Sequence, residues 1–149
     1  MPRFRFPLEQ ALRYKERRER LAEIRQMQAA GRKRACDLDV QQLEREIESN
    51  AKRLEDQMHG PVESSAWMAV FQRSEQLGKE LRLALERRTQ AEKVMQETMA
   101  AYQRAVQEAE SLRTLRSRRH EEHRDQETKT EQVRIEEQTL RRWRTDDNA

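Results

Sequence analysis

Gln57-Met58-His59-Gly60-Pro61-Val62-Glu63-Ser64-Ser65 is the one stretch where glycine and proline stand side by side. These two residues are the strongest local punctuation of structure, and the chain has only three of each. The stretch therefore reads as the only turn. Gly60 suits the left-handed position just past a helix end, Pro61 can begin the next helix, and Ser64 or Ser65 offers an alternative N-cap. Pro7 suits the first turn of a helix. The expected layout is one domain over residues 1–149: helix 1 over about 7–58, a turn over about 59–64, helix 2 over about 65–143 and a short polar tail.

Both segments flanking the turn carry the alternating three- and four-residue spacing of a packed helical seam. In helix 1 it reads Leu21, Ile24, Gln28, Gly31, Ala35, Leu38, then shifts register and resumes as Cys36, Val40, Leu43, Ile47, Ala51, Leu54, Met58. Such a shift changes the local supercoil. In helix 2 an unbroken seven-residue step runs from Val70 through Leu77, Ala84, Ala91, Thr98, Ala105 and Leu112 to Arg119, Gln126, Val133 and Leu140. Ser74, Leu81, Arg88, Met95, Tyr102 and Ala109 lie on the companion row. Glu9 with Arg13, Glu48 with Lys52 and Glu75 with Lys79 are spaced as i,i+4 ion pairs, each contributing only tenths of a kcal/mol.

The fold class expected from this pattern is all-α, a long two-helix antiparallel coiled-coil hairpin. Residues equally distant from Pro61 lie at the same height, so residue 4 pairs with about residue 118. Helix 2 then overhangs at its C-terminal end by roughly 35 Å, at about 1.5 Å per residue. The seam changes character at the same place, where Arg119, His123, Gln126 and Thr130 occupy positions held by apolar residues nearer the turn. Val133, Ile135, Leu140 and Trp143 are the apolar handles of that overhang.

Composition agrees with a helical rod rather than a thick core. Only 34% of residues are hydrophobic and 40% are charged, against roughly 45–50% apolar in an ordinary domain. The net charge is only +3. Its distribution is uneven: residues 1–34 hold 11 basic and 4 acidic side chains, a net of +7, whereas residues 35–66 hold 3 and 8, a net of −5. Oppositely charged ends suggest two different partners, because charge complementarity steers encounter and specificity. A single cysteine, Cys36, permits no intramolecular disulfide and sits on a helical seam, where a packed thiol is the expectation. No signal-peptide pattern and no apolar run of membrane-spanning length is present. These features lead to a cytoplasmic expectation, with membrane association only through partners.

Signatures of catalysis are missing. His120-Glu121-Glu122-His123 places two histidines at i,i+3 but lacks the His-Glu-x-x-His order and a third ligand, so no metal and no cofactor are expected. There is no phosphate-cradling glycine loop, and no serine or cysteine has a plausible base beside it. The arginines at 113, 116, 118, 119 and 124 raise nucleic-acid binding as a possibility. Glu121, Glu122, Asp125 and Glu127 answer it, and no aromatic residue interleaves to stack on bases, so no specific nucleic acid is expected. A non-enzymatic protein-binding role is the expectation, with a structural coiled-coil tether or dimeric spacer as the alternative.

The opening Phe4-Arg5-Phe6-Pro7-Leu8-Glu9-Gln10-Ala11-Leu12-Arg13-Tyr14 resembles the start of FliJ-type flagellar proteins, which commonly begin Phe-x-Phe-x-Leu, then a leucine and a basic helix. Ser65-Ala66-Trp67 followed by Val70, Leu77 and Leu81 is similar to the start of that family's second helix, with Val70 where an aromatic residue often stands. The resemblance covers the chain in length and layout. It implies a two-helix coiled coil similar to the central stalk of rotary ATPases, with counterparts in virulence-type secretion. Family members bind and activate the hexameric flagellar export ATPase and connect it to the cytoplasmic domain of the export gate protein FlhA. Some also bind export chaperones. The resemblance also implies a location peripheral to the inner face of the cell membrane, through the export apparatus.

On that basis Phe4, Phe6, Leu8 and Leu12, with Val133, Leu140 and Trp143, are candidates for the ATPase contact. Arg13, Arg116 and Arg119 are candidates for charge complementarity there. Leu8 and Leu12 serve equally well to close the hairpin base. Leu43, Ile47, Val70, Leu77 and Leu81 are candidates for the gate contact, and the same residues fit a seam that merely holds the helices together.

Overall fold

The computed structural model describes residues 3–60 and 63–148, and among them the chain is all-helical. Helix α1 spans Glu9–Met58 and helix α2 spans Ser64–Asp147. The two pack as an antiparallel hairpin, with partner numbers falling on one helix as they rise on the other. By its contacts the chain divides into two units, Met1–Glu19 with Arg104–Ala149, and Arg20–Gln103. Pro61 and Val62, and with them the expected corner, lie outside the described residues.

The ends of the helices differ from expectation in small ways. The Leu12 N–H donates to the Leu8 carbonyl at 2.9 Å and the Glu9 N–H to the Phe6 carbonyl at 3.1 Å. Leu8 thus occupies the cap position, and Pro7 sits in the preceding turn instead of the first helical turn. Glu9, the first helical residue, places negative charge at the positive end of the helix dipole. At the other end of α1 the His59 N–H reaches the Asp56 carbonyl at 3.3 Å, a tightened last turn. Among the described residues no glycine has a positive φ, so Gly60 does not adopt the expected left-handed conformation. The Trp67 N–H donates to the Glu63 carbonyl at 3.2 Å, which makes Glu63, rather than Ser64 or Ser65, the cap of α2. The helix then continues past residue 143 to Asp147.

In the unit Arg20–Gln103 the α2 row is the expected one except at Ser74, which is exposed. Leu77 and Ala84 are buried, and Val70, Leu81, Arg88, Ala91, Met95, Thr98 and Tyr102 are partly buried. Helix α1 departs from expectation. Its packed row runs Ala22, Gln26, Ala29, Lys33, Cys36, Val40, Leu43, Ile47, Asn50 and Leu54 at an unbroken 4-3 alternation. Leu21, Ile24, Gln28, Gly31, Ala35 and Leu38 are all exposed, so there is no change of register near Ala35.

The reason is phase. A two-helix coiled coil requires both seams to keep facing each other, and the heptad of α2 contains no insertion. A shift in α1 alone would rotate its apolar row off the α2 seam, so the geometry retains Gln26 and Lys33 at the seam despite their polarity. The aliphatic stem of Lys33 covers apolar surface while its head reaches outward. Lys33 Nζ meets the Asp37 carboxylate at 2.8 Å; that hydrogen bond and the neighbouring negative charge raise the Lys33 pKa. Lower on the seam, Arg73 bonds Glu46 at 3.0 Å and Asn50 Nδ2 donates to the Val70 carbonyl at 3.3 Å.

Candidate protein-binding surfaces

The unit formed by Met1–Glu19 and Arg104–Ala149 contains all the residues singled out for an ATPase contact. Phe6 and Leu12 are buried, so neither is offered to solvent. Leu8 is exposed. The ring of Phe4 meets the edge of His120 at a centroid distance of 5.1 Å and 89°, and lies 5.6 Å from His123, tilted at 57°. The two histidines therefore form the seat of Phe4. The expected height rule placed residue 4 opposite residue 118, two residues from His120, and the i,i+3 spacing of the histidines was the signal for a shared face.

Ion pairs knit the same unit together. Lys15 Nζ approaches Glu108 Oε2 at 2.8 Å, and Arg113 engages Glu19 at 2.6 Å and Glu16 at 3.3 Å. Arg116 Nε lies 3.1 Å from Glu9 Oε2, and Arg13 approaches the other Glu9 oxygen at 3.9 Å. The hydrogen bond from Lys15 and its charge hold the Glu108 carboxyl below its usual 4.5. The Glu19 hydrogen bond, opposed by desolvation and aided by Glu16, raises the Arg113 pKa. Glu9 thus joins two of the arginine candidates, a role that reading the i,i+4 spacing alone assigned only to Arg13. Arg119 is exposed, and no ion pair forms there among the described residues. Arg116 and Leu12 share an open cleft with His120 and Arg124.

Beyond the seat of Phe4 the character of α2 changes. His123, Glu127 and Glu131 are partly covered, and every described residue from Gln132 onward is exposed. The segment from Arg124 to Asp147 amounts to about 36 Å of helix. Val133, Leu140 and Trp143, at i, i+7 and i+10, share one face, and Trp143 is 72% exposed. Ile135 is also exposed but projects from a different face.

The residues singled out for a gate contact lie in the other unit and are mainly packed. Leu77 is 1% exposed, and Leu43, Ile47, Val70 and Leu81 are half-buried. Beside them Met68 and Phe71 are exposed, as is Met58 near the end of α1. Reading the sequence for seam periodicity passed over Met68 and Phe71 because both fall off the two packed rows, on the outer side of α2.

No helix among the described residues is long and apolar enough to cross a membrane. Comparison with known proteins adds no relative: no family model, no curated protein and no solved structure matches this chain.

Proposed function

We propose that this chain is a central-stalk component of a flagellar-type protein export apparatus, binding and activating an export ATPase ring and linking it to the gate. The observation that carries the reading is the C-terminal extension of α2, exposed on every side from Gln132 onward and bearing Val133, Leu140 and Trp143 on one face. An amphipathic helix end without an intrachain partner suits insertion into a ring. The resemblance of Phe4–Tyr14 and of Ser65–Leu81 to FliJ-type proteins supplies the identity of that ring, a hexameric ATPase, and of the second partner, the cytoplasmic domain of FlhA. Export chaperones are further partners on the same basis.

In this reading the contact with the ATPase uses Leu8, Arg119, Val133, Leu140 and Trp143, whereas Phe6 and Leu12 hold the base closed. Arg13 and Arg116 act through their shared Glu9. In the unit Arg20–Gln103, exposed Met68 and Phe71 supply the gate contact, and Leu77 keeps the surface rigid behind them. A ligand that binds the assembled ring better than its free subunits shifts assembly by linkage, so no catalytic group is required of this chain.

Mixing purified chain with the cognate ATPase tests the proposal. ATP hydrolysis should rise at one chain per hexamer or fewer, and a chain lacking residues 124–149 should activate poorly while retaining its helical spectrum. Absence of both association and activation would remove the role. Concentration-dependent dimerisation in sedimentation, with no ATPase response, would favour the dimeric spacer instead.

A further inference from the structure

The row that the α2 seam leaves outside is itself organised. Leu21, Ile24, Gln28, Gly31, Ala35 and Leu38 follow each other at steps of 3, 4, 3, 4 and 3, and all are exposed, Leu21 at 48% and Ile24 at 47%. This is the spacing of a second helical seam, on the side of α1 turned away from α2. On a helical wheel the positions bordering it are Arg20, Met27 and Arg34 on one flank and Arg25 and Arg32 on the other. All five are exposed, and none of the four arginines forms an ion pair among the described residues. The two acidic residues of this stretch, Glu23 and Asp37, fall on the row next to the packed seam, and Asp37 is taken by Lys33. Arg32 and Ala35 also border an apolar groove of about 380 Å³ with Ala29, Cys36, Ala91 and Val94.

We infer that the outer face of α1 over residues 20–38 is a docking site for an acidic amphipathic helix of another protein. This site is separate from the surfaces assigned above and stands whether or not they bind an ATPase and a gate. Three features select the occupant. The 3-4 rhythm fits the side chains of a helix. Gly31 and Ala35, in the middle of the stripe, let a second backbone approach closely, and a Cβ built on Gly31 would meet nothing within 4 Å. Four unpaired arginines on the two borders call for carboxylates, which the guanidinium fork binds in bidentate fashion.

A second copy of the chain fits poorly, because a two-fold contact sets the same surface against itself and would place arginine beside arginine. A bilayer gains from bulky apolar side chains on the buried face, and here the centre of the stripe is small. The groove beside Ala35 gives a side chain of the incoming helix a place to enter.

The test uses the full chain and a labelled peptide of about 21 residues, three heptads, with leucine and alanine on its seam and glutamate on both borders. A twin carries lysine at the border positions. Anisotropy titration should show the glutamate peptide binding at least about tenfold tighter than the twin, an effect of charge complementarity. The double variant Arg25→Glu/Arg32→Glu should reverse that preference, and Ile24→Glu should weaken the glutamate peptide by a comparable factor. Because these positions are exposed, the helical spectrum of each variant should match the parent. Arg141→Glu/Arg142→Glu in α2 should leave binding unchanged.

Equal affinity for the two peptides, or an equal loss from the Arg141/Arg142 variant, overturns the proposal. So does binding to vesicles of phosphatidylcholine and phosphatidylglycerol that Arg25→Glu/Arg32→Glu abolishes while peptide affinity stays constant. A dimer in sedimentation that Ile24→Glu dissociates assigns the face to a second copy and likewise overturns it.

Discussion

The side-chain amide of Asn50 donates to the main-chain carbonyl of Val70 at 3.3 Å, and Asn50 is the buried polar side chain on a seam otherwise closed there by Ile47 and Leu54. A single asparagine on a coiled-coil seam fixes register at a cost in stability. A leucine at this position would bury more apolar area and lose the positional constraint. Asn50→Leu is expected to raise the unfolding free energy by about 1 kcal/mol and to broaden the distance distribution between spin labels at Arg53 and Met68. A single narrow distance in the variant would show that the amide does not select the register.

Leu77 and Leu21 are both leucines on a 3-4 pattern, yet one is 1% exposed and the other 48%. Truncation of a packed leucine costs about 2–5 kcal/mol, while substitution on an exposed surface stays within roughly 0.5 kcal/mol. Leu77→Ala should therefore lower the denaturation midpoint strongly, and Leu21→Ala should hardly move it. Comparable losses from both would return Leu21 to the packed seam and reinstate the register shift near Ala35.

The same two leucines explain what could be read in advance. The α2 seam was legible because its apolar residues sit on one unbroken heptad from Val70 to Leu112, so period and burial coincide. In α1 the apolar residues between Leu21 and Leu38 form a good seam that is not the packed one. Choosing between two amphipathic rows on one helix depends on the phase of the partner helix, which single-segment periodicity does not contain. Polar Gln26 and Lys33 at the packed positions increase the ambiguity. At the base, pairing heights led to within two residues of His120, but the seating of Phe4 between two histidines depends on ring directions. The exposure of Met68 and Phe71 was missed for a similar reason, since both are apolar residues that stand off the packed rows.

Lys15 and Glu108 give a direct test of the unit they share. The hydrogen bond and charge of Lys15 depress the Glu108 pKa below its usual 4.5. A carboxyl whose folded value lies below its unfolded value contributes stability that is complete above the unfolded pKa and is lost as pH falls through the folded one. Both side chains are solvent-exposed, so the contribution is small and screened by salt. Carbon-detected titration should place Glu108 below the exposed glutamates, and Lys15→Met should return it upward into their range. A Glu108 curve unmoved by Lys15→Met would mean that the pair does not persist in solution.

Phe4 separates packing from partner binding. Its edge-on contact with His120 and tilted contact with His123 should contribute about 1 kcal/mol, since aromatic pairs add roughly 0.5–1.5 kcal/mol beyond buried area. Phe4→Ala is expected to speed amide exchange over residues 9–12, where the turn at Phe6–Leu8 leads into α1, with residues 40–54 unaffected. Phe4→Leu, which keeps apolar volume without the ring, should recover part of the protection. If Phe4→Leu restores protection but not ATPase activation, the ring touches the partner; if both return together, its work is confined to closing the base. Unchanged exchange at residues 9–12 in Phe4→Ala would show that the histidine seat does not hold this end of the chain.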